Sequence, residues 1–329
     1  MIEPDNDSLK LDTKKMKKII LACSILLQIP TYSLANDSTG YVGTGGVAYL
    51  KNAHVAMQSE DLFISKKLIK VDYLYKNLSN KDVTETILFP LPRIDNFFDS
   101  DFAHTEALLK SFKIIVDGQN IQPEMHVRTF IQRDEKSPLI DATDVFKQCG
   151  FSQTEMLNPW MRNNDDDRYF VDKLKRCKQP QIQKILANFK KDDEIPWSSQ
   201  VIYSWKQTFK ANALTKIQHQ YQPLVGGSVA LYPDEYNQNF CMDAQFKQGL
   251  KKAKAENSPF NALSYILTTG ANWAKPIENF KLTIERDKNE LVSFCWNGKV
   301  EKISPTQFQM NKRNFVPKQD LDIIFVRVK

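Results

Sequence analysis

The residues that could do chemistry in this 329-residue chain are few and widely spaced. Its histidines are His54, His104, His126 and His219, and no two of them lie four residues apart, as helical zinc ligands would. Nucleophile-elbow, zinc-protease and phosphate-loop motifs are all missing from the sequence. We therefore predict no catalytic residue, no metal ligand and no cofactor. His219 alternates with apolar neighbours, which predicts a hydrogen-bonded core histidine.

Cysteine usage predicts cross-links rather than catalysis. An even set remains beyond the N-terminal leader described below: Cys149, Cys177, Cys241 and Cys295. In an oxidising compartment four cysteines predict two disulfides, with three alternative pairings. Proximity in sequence favours Cys149–Cys177 and Cys241–Cys295. Free buried thiols remain an alternative, and so does zinc, although no Cys-x-x-Cys or Cys-x-x-His spacing occurs.

Two further groups of side chains invite a functional interpretation. Asp165-Asp166-Asp167 could suggest calcium, but the glycine and glutamate of an EF-hand loop are missing, so we interpret it as an acidic helix start. Aromatic rings could stack on sugars or hold a peptide. The possible binding surface consists of Trp160, Trp197, Trp273 and Trp296. Alternation around them also allows most of these rings to be core.

The N-terminal segment indicates export. In Met16–Ala35 two lysines precede a short apolar run, and small residues come before a cleavage site after Ala35. We predict that residues 1–35 are a leader, with Met16 as the true start. Two alternatives stay open: a lipoprotein attached at Cys23, and a cytoplasmic protein with an apolar first strand. The signal predicts a periplasmic or extracellular bacterial protein, with no transmembrane anchor after cleavage.

Composition describes a folded protein and argues against one class of partner. The net charge is +6, and 42% of the residues are hydrophobic. Because the small basic excess is spread along the chain, it does not predict a nucleic-acid-binding protein. The length suits one large or two ordinary domains.

Strand periodicity dominates the first part of the chain. Ile69–Lys76 and Val83–Phe89 both alternate, and we predict that they form an antiparallel hairpin. Asp117-Gly118 is a strong turn signal, so we predict a second hairpin between Phe112–Val116 and a strand near Met125–Ile131.

The period then changes to that of helices. We predict a helical insertion at about 138–190, and two short helices near Phe246–Glu256 and Pro259–Thr268 before a C-terminal β region. The predicted fold is mainly β with a helical insertion (α+β), built from antiparallel sheets in two β-sandwich-like parts. The predicted domains are 36–232 and 233–329.

Several short motifs resemble one family of exported bacterial proteins. The motifs are Asp61-Leu62-Phe63-Ile64-Ser65, Phe89-Pro90-Leu91-Pro92, His219-Gln220-Tyr221-Gln222-Pro223, Cys295-Trp296-Asn297-Gly298-Lys299 and Asn314-Phe315-Val316-Pro317. Together they are similar to domain of unknown function family 4424 over nearly all of 36–329. This resemblance implies no activity and no site residues.

The function expected from these observations is non-catalytic binding. An exported, β-rich chain without catalytic motifs suits a protein that binds an envelope protein or glycan. The alternative is an envelope hydrolase whose site is assembled from distant residues.

Overall fold

Several central strands are built from alternating buried and less buried side chains. Their arrangement is shown by a computed structural model of the protein. It describes residues 37–43, 46–95, 105–132, 137–157, 169–187 and 197–328. The predicted leader, Trp160 and the Asp165-Asp166-Asp167 run lie outside the described residues. Those that are described belong to one compact unit, Ser33–Lys329.

Strands are the main elements. In chain order they are β1 (Ser38–Gly43), β2 (Gly46–Leu50), β3 (Val55–Ile64), β4 (Ile69–Asn77), β5 (Val83–Pro90), β6 (Ile94–Asp95), β7 (Lys113–Val116), β8 (Gln119–Ile121), β9 (Glu124–Ile131), β10 (Ile140–Asp141), β11 (Trp197–Phe209), β12 (Leu214–Tyr221), β13 (Gly226–Ser228), β14 (Phe260–Tyr265), β15 (Ile277–Glu285), β16 (Glu290–Phe294), β17 (Glu301–Lys302), β18 (Gln307–Phe315) and β19 (Leu321–Arg327).

The helices are short and fall into three groups. They are α1 (Thr105–Ser111), α2 (Thr143–Gln148), α3 (Gln153–Leu157), α4 (Tyr169–Arg176), α5 (Pro180–Leu186), α6 (Pro233–Phe240) and α7 (Ala244–Ala253), with a 3-10 helix at Thr268–Asn272. The α2–α5 group lies between β10 and β11, which confirms the predicted helical insertion.

Three sheets make the β framework. The seven-stranded sheet has the order β10-β9-β11-β5-β1-β2, with β6 beside β11. The eight-stranded sheet has the order β17-β18-β15-β3-β4-β12-β7-β8, and the four-stranded sheet has the order β13-β14-β19-β16. These sheets with a few helices confirm the predicted mainly β, α+β class.

The main core lies between the seven-stranded and eight-stranded sheets. Every second residue of β4 is buried, and Tyr75 packs on Phe209 of β11 with ring centroids 5.7 Å apart. Phe89 of β5 stacks on His219 of β12, with ring centroids 4.6 Å apart. Because each aromatic side chain buries about 150–250 Å², these contacts are a large part of what holds the two sheets together.

The predicted hairpin of β4 and β5 is wrong, although both strands exist. β4 pairs with β3 and β12 in one sheet, whereas β5 pairs with β11 and β1 in the other. The chain crosses between sheets just after Asn77, whose buried side chain donates to the carbonyl oxygens of Lys81 and Phe209. These bonds direct the chain across the core instead of back along β4.

The hairpin predicted at Asp117-Gly118 exists with a different partner strand. Both turn residues have positive φ, 47° and 85°, as a tight two-residue hairpin turn requires. However, β7 pairs across this turn with β8, and β9 leaves to pair with β11 in the other sheet.

Two other predictions differ from the structure in the C-terminal third. The segment predicted as a helix at Pro259–Thr268 is mostly strand β14, which pairs with β19. One strand pair is parallel, β15 with β3, where only antiparallel pairing was predicted. This pair also means that strands from either side of residue 232 share the eight-stranded sheet.

Both predicted disulfides are present. Cys149–Cys177 lies within the helical insertion with Cα atoms 5.3 Å apart, and Cys241–Cys295 links the end of α6 to the segment after β16 with Cα atoms 4.9 Å apart. The second bridge fastens α6 and α7 to the four-stranded sheet, where Phe246 and Leu250 pack in a smaller core.

Candidate functional site

The structure brings together one acid–base pair that the sequence did not reveal. Nε2 of His219 lies 3.1 Å from Oδ1 of Asp37, and both side chains have no solvent exposure. The Tyr75 hydroxyl donates to Oδ2 of Asp37 at 3.1 Å, and Nε1 of Trp273 donates to the Asp37 backbone oxygen at 2.9 Å. These contacts tie the start of β1 into the main core.

Aromatic rings close this pair off from solvent. Tyr73, Phe89, Phe112 and Trp205 all have ring centroids within 6 Å of the His219 ring. Burial raises the pKa of Tyr75 well above its usual value, and the nearby Asp37 carboxylate raises it further, so its hydroxyl stays a donor. A substrate has no route to a pair with no exposed surface. We therefore interpret Asp37 and His219 as structural, which matches the predicted core histidine.

Of the four tryptophans predicted as a binding surface, the three that the structure describes do not form a common surface. Trp197 and Trp273 are 3% and 1% exposed, because the first packs on Phe146 and the second on Tyr75. Their proposed role in stacking is therefore corrected to a role in the core. Trp296 is half-buried between Phe280 and Phe315, and Trp160 lies outside the described residues.

The described residues offer neither a metal-ion cluster nor a membrane-spanning helix. Within the described ranges, no three His, Cys, Asp or Glu side chains are grouped so that they could hold a metal ion. In the same ranges, every helix is too short or too polar to cross a membrane.

A polar groove on the eight-stranded sheet is a candidate site, with a volume of about 410 Å³. We call it the polar groove. It crosses four neighbouring strands, β18, β15, β3 and β4, at one end of the sheet. Its lining residues are Ala56, Met57, Gln58, Lys76, Leu78, Lys275, Pro276, Glu278, Asn279, Arg313 and Asn314.

The shape of the groove follows from an irregularity in β3. The pairing of β3 with β4 shifts between Met57 and Ser59, which leaves Gln58 as an extra residue. Such a bulge bends the strand and redirects nearby side chains. The Asn279 side chain donates to the Gln58 backbone oxygen at 3.4 Å, and this bond joins the bulge to β15.

Positive charge predominates in the groove. The lining contains one carboxylate, Glu278, and three cationic side chains, those of Lys76, Lys275 and Arg313. Lys76 is half-buried and donates to the Asn212 backbone oxygen, whereas Lys275 and Arg313 are exposed. Among the described residues neither of these two exposed cations has an ion-pair partner. An anionic group in the groove would therefore meet two cations that are free to contact it.

Amide side chains supply neutral donors and acceptors next to these cations. Gln58, Asn279 and Asn314 each present a carbonyl oxygen and an amino group, which together can bond hydroxyls in either direction. Asn314 has φ of +51°, in the left-handed region that asparagine tolerates. The arrangement can bind and orient a polar anionic ligand.

This site is not evident in the sequence, because its members come from four separate strands. One signal was available: charged and amide residues lie close together in sequence at Lys275 to Asn279 and at Arg313-Asn314, and the second pair adjoins the motif Asn314-Phe315-Val316-Pro317. What sequence could not supply was the pairing of β15 with both β3 and β18.

One family profile matches the chain across residues 35–324, and its description is domain of unknown function, DUF4424. The chain belongs to this family. The match confirms the resemblance drawn from the motifs, and the family description assigns no activity. None of the curated proteins compared with the chain matches it.

Solved structures give only distant likenesses. A protein of Legionella pneumophila, named as a candidate nutrient-binding protein, is 13% identical, with 89% of this chain and 70% of that chain covered and a TM-score of 0.45. Yeast LTA4 hydrolase with bestatin is 12% identical at a TM-score of 0.32, and 96% of this chain covers 33% of the enzyme. A two-domain M1 zinc metallopeptidase mutant bound to tryptophan is 9% identical, with 84% and 44% covered and a TM-score of 0.22. Scores this low carry no argument about function.

Proposed function

We propose that this protein is an exported, non-catalytic protein that binds an acidic glycan of the cell envelope in the polar groove. The observation that carries the proposal is the set of two exposed, unpaired cations beside three amide side chains in one groove of about 410 Å³. That volume lies within the range of about 300–1,000 Å³ that ligand pockets occupy.

The extent of the groove favours an extended ligand over a small ion. Neighbouring strands lie about 4.8 Å apart, so a groove across four of them runs for about 14 Å. A lone phosphate would reach only part of this length. A chain of sugar rings with carboxylate groups can contact the cations at one point and the amides at another.

A peptide partner fits this site less well. Of the four strands, β15, β3 and β4 have a neighbour on both sides, so an extended peptide could add as a further strand only beside β18, where β17 pairs with no more than Phe308 and Gln309. The amides suit sugar hydroxyls, and the apolar faces of Leu78 and Pro276 can contact the carbon-bound hydrogens of a ring.

Export of the mature chain, to the periplasm or beyond the cell, is part of this proposal. The signal-like segment Met16–Ala35 and the two disulfides support it, since disulfides persist in oxidising compartments. We propose that the mature chain begins after Ala35, next to the buried Asp37.

Calorimetric titration with tetragalacturonate tests the binding proposal. Its methyl ester has the same size without the charges, and we expect it to bind at least about tenfold more weakly. We expect the double variant Lys275→Gln and Arg313→Gln to weaken tetragalacturonate binding by at least about tenfold, because charge-assisted hydrogen bonds are lost. The control changes Lys251 and Lys252 of α7 to Gln and should leave the affinity unchanged.

The salt dependence gives a second readout. Binding that rests on exposed charges weakens as ionic strength rises. Equal affinity for the acid and its ester, or equal affinity of the groove variant and the control variant, would contradict the proposal. Binding of an acidic peptide in preference to the glycan would replace it with a protein partner.

A further inference from the structure

A second concave site lies where the three sheets meet, and we call it the Arg93 cleft. Its volume is about 160 Å³. Its walls come from the link between β5 and β6, from α1, from the end of β12 and from β14. The lining residues on which the argument rests are Arg93, Leu108, Tyr221, Leu224, Phe240 and Leu263.

Most of this lining is apolar, and part of it belongs to the main core. Leu108 and Leu263 are 2% and 3% exposed and belong to the main core. The backbone also comes close at Gly227, where an added Cβ would stand 2.2 Å from the Phe260 carbonyl oxygen. A larger residue at Gly227 would therefore push β13 away from β14 and disturb the cleft.

Arg93 is the charged residue of the cleft lining, and the chain before it is fixed. The Leu91 N–H donates to the Val201 oxygen at 2.8 Å, and the Gln200 side chain donates to the Leu91 oxygen at 2.9 Å. Arg93 itself is half-buried. Among the described residues, no carboxylate or carbonyl group pairs with its guanidinium.

Tyr221 supplies a second polar group without a partner. This side chain is 3% exposed, and no described residue shares a hydrogen bond with its hydroxyl. Burial raises the pKa of Tyr221 far above the usual value, so the hydroxyl remains a donor at neutral pH. Because Tyr221 lines the cleft, a ligand bound there can accept a hydrogen bond from this hydroxyl.

Ser264 of the cleft lining donates a hydrogen bond at 2.5 Å to the carboxylate of Asp322. Burial raises the pKa of Asp322, which makes its charge easier to neutralise than that of an exposed aspartate. Asp322 is not part of the cleft lining. The guanidinium of Arg93 is thus the charge that a ligand in the cleft meets.

We propose that the Arg93 cleft binds a small carboxylate with a branched or ring-shaped apolar body. The carboxylate would take two parallel hydrogen bonds from the Arg93 guanidinium, a geometry that arginine offers and lysine does not, and the Tyr221 hydroxyl would donate a third. The size of the body follows from the volume, since an apolar cavity of about 150 Å³ holds one benzene ring. This proposal does not depend on the polar groove.

The same carboxylate chemistry has two sources, a free acid and the C-terminus of a peptide. The probes are 4-methylpentanoate and the tripeptide Gly-Gly-Leu, each compared with its uncharged amide. Binding is followed by ligand-detected NMR on the purified protein. We expect 4-methylpentanoate to bind with Kd of about 1 mM or tighter, and its amide at least about tenfold more weakly. Binding of Gly-Gly-Leu as well would extend the site to peptide C-termini, whereas its absence would restrict the site to free acids.

Three variants locate the bound probe. We expect Arg93→Gln to weaken the binding of 4-methylpentanoate at least tenfold. We expect Tyr221→Phe to weaken it about threefold, since phenylalanine keeps the packing and removes only the hydroxyl. The matched control is Arg327→Gln, an exposed arginine on β19, and its affinity should equal that of the unaltered protein. Circular dichroism establishes that each variant is folded. No binding up to about 10 mM, equal binding of acid and amide, or unchanged affinity in Arg93→Gln would overturn the proposal.

Discussion

The Asp37 side chain provides the sharpest test of how the core is held together. Replacing it by Ala removes the acceptor of the Tyr75 hydroxyl and the partner of His219, both at 3.1 Å. The bond from Trp273 to the Asp37 backbone oxygen is kept, because it does not involve the side chain. Asp37→Ala therefore isolates the contribution of the buried carboxylate.

The magnitude follows from burial. A buried polar group that loses its partner costs about 1–3 kcal/mol, and Asp37→Ala affects two such groups, the Tyr75 hydroxyl and the His219 ring. We expect the free energy of unfolding to fall by about 3 kcal/mol, since the carboxylate's own desolvation cost also disappears. With a slope of about 3 kcal/mol per molar urea, the midpoint should fall by about 1 M.

Urea unfolding followed by tryptophan fluorescence measures this change. The control is Asp61→Ala, which removes a carboxylate that is 46% exposed and paired with Lys281. Exposed ion pairs contribute about 0–1 kcal/mol, so the control should remain close to the unaltered protein. If Asp37→Ala costs no more than Asp61→Ala, the buried cluster does not hold the start of β1 in the core.

Three further predictions concern other parts of the framework. Cys241→Ser should lower the free energy of unfolding in urea by about 4 kcal/mol, because it opens a loop with a sequence separation of 54. Adding Cys295→Ser should lower it little further, and additive losses would contradict the pairing. Burial raises the pKa of Glu155, but hydrogen bonds from Lys173 and Ser152 outweigh burial and lower the pKa to about 2. The stability that the Glu155 carboxylate contributes is therefore present above about pH 4.5 and is lost as the pH falls towards 2. Glu155→Gln should therefore cost about 1–2 kcal/mol at pH 7 and nothing near pH 2, while Glu106→Gln at an exposed site should change nothing measurable; a pH-independent loss would refute the assignment. Gly227→Ala should lower the thermal midpoint through about 1–3 kcal/mol of overpacking, whereas Gly249→Ala in α7 should be neutral or slightly stabilising, and equal midpoints would show that β13 can move.

Local periodicity predicted the individual strands well, but it predicted which strands pair with each other less well. The alternation in Ile69–Lys76 predicted β4 because the period of two is a property of the strand itself. The link from β4 to β5 could belong to a hairpin or to a crossing between sheets, since both need a short polar turn. The hydrogen bond from the Asn77 side chain to the Phe209 oxygen favours the crossing, and it joins residues 132 positions apart.

The segment Pro259–Thr268 was misread for a related reason. Phe260, Leu263 and Leu267 are buried and lie three to four residues apart, which mimics the apolar face of a helix. Pairing with β19 overrides this local pattern and makes the segment a strand. A short apolar run cannot by itself distinguish the two structures.

The candidate site was largely beyond sequence reasoning. Lys76, Lys275 and Arg313 become neighbours only because β15 joins β3 in parallel and β18 on its other side. The two disulfide pairs could be predicted, because the cysteine count is compositional and each pair is close in sequence. The tryptophans illustrate the limit, since residue type alone did not separate core rings from exposed ones.

The most direct test of the proposed function locates the glycan on the protein. Lysine acetylation rates are measured by mass spectrometry with and without saturating tetragalacturonate. The account predicts that Lys275 in the polar groove is protected severalfold, while Lys251 and Lys252 on α7 react at unchanged rates. Equal rates at Lys275 with and without the glycan, or protection confined to α7, would contradict the account.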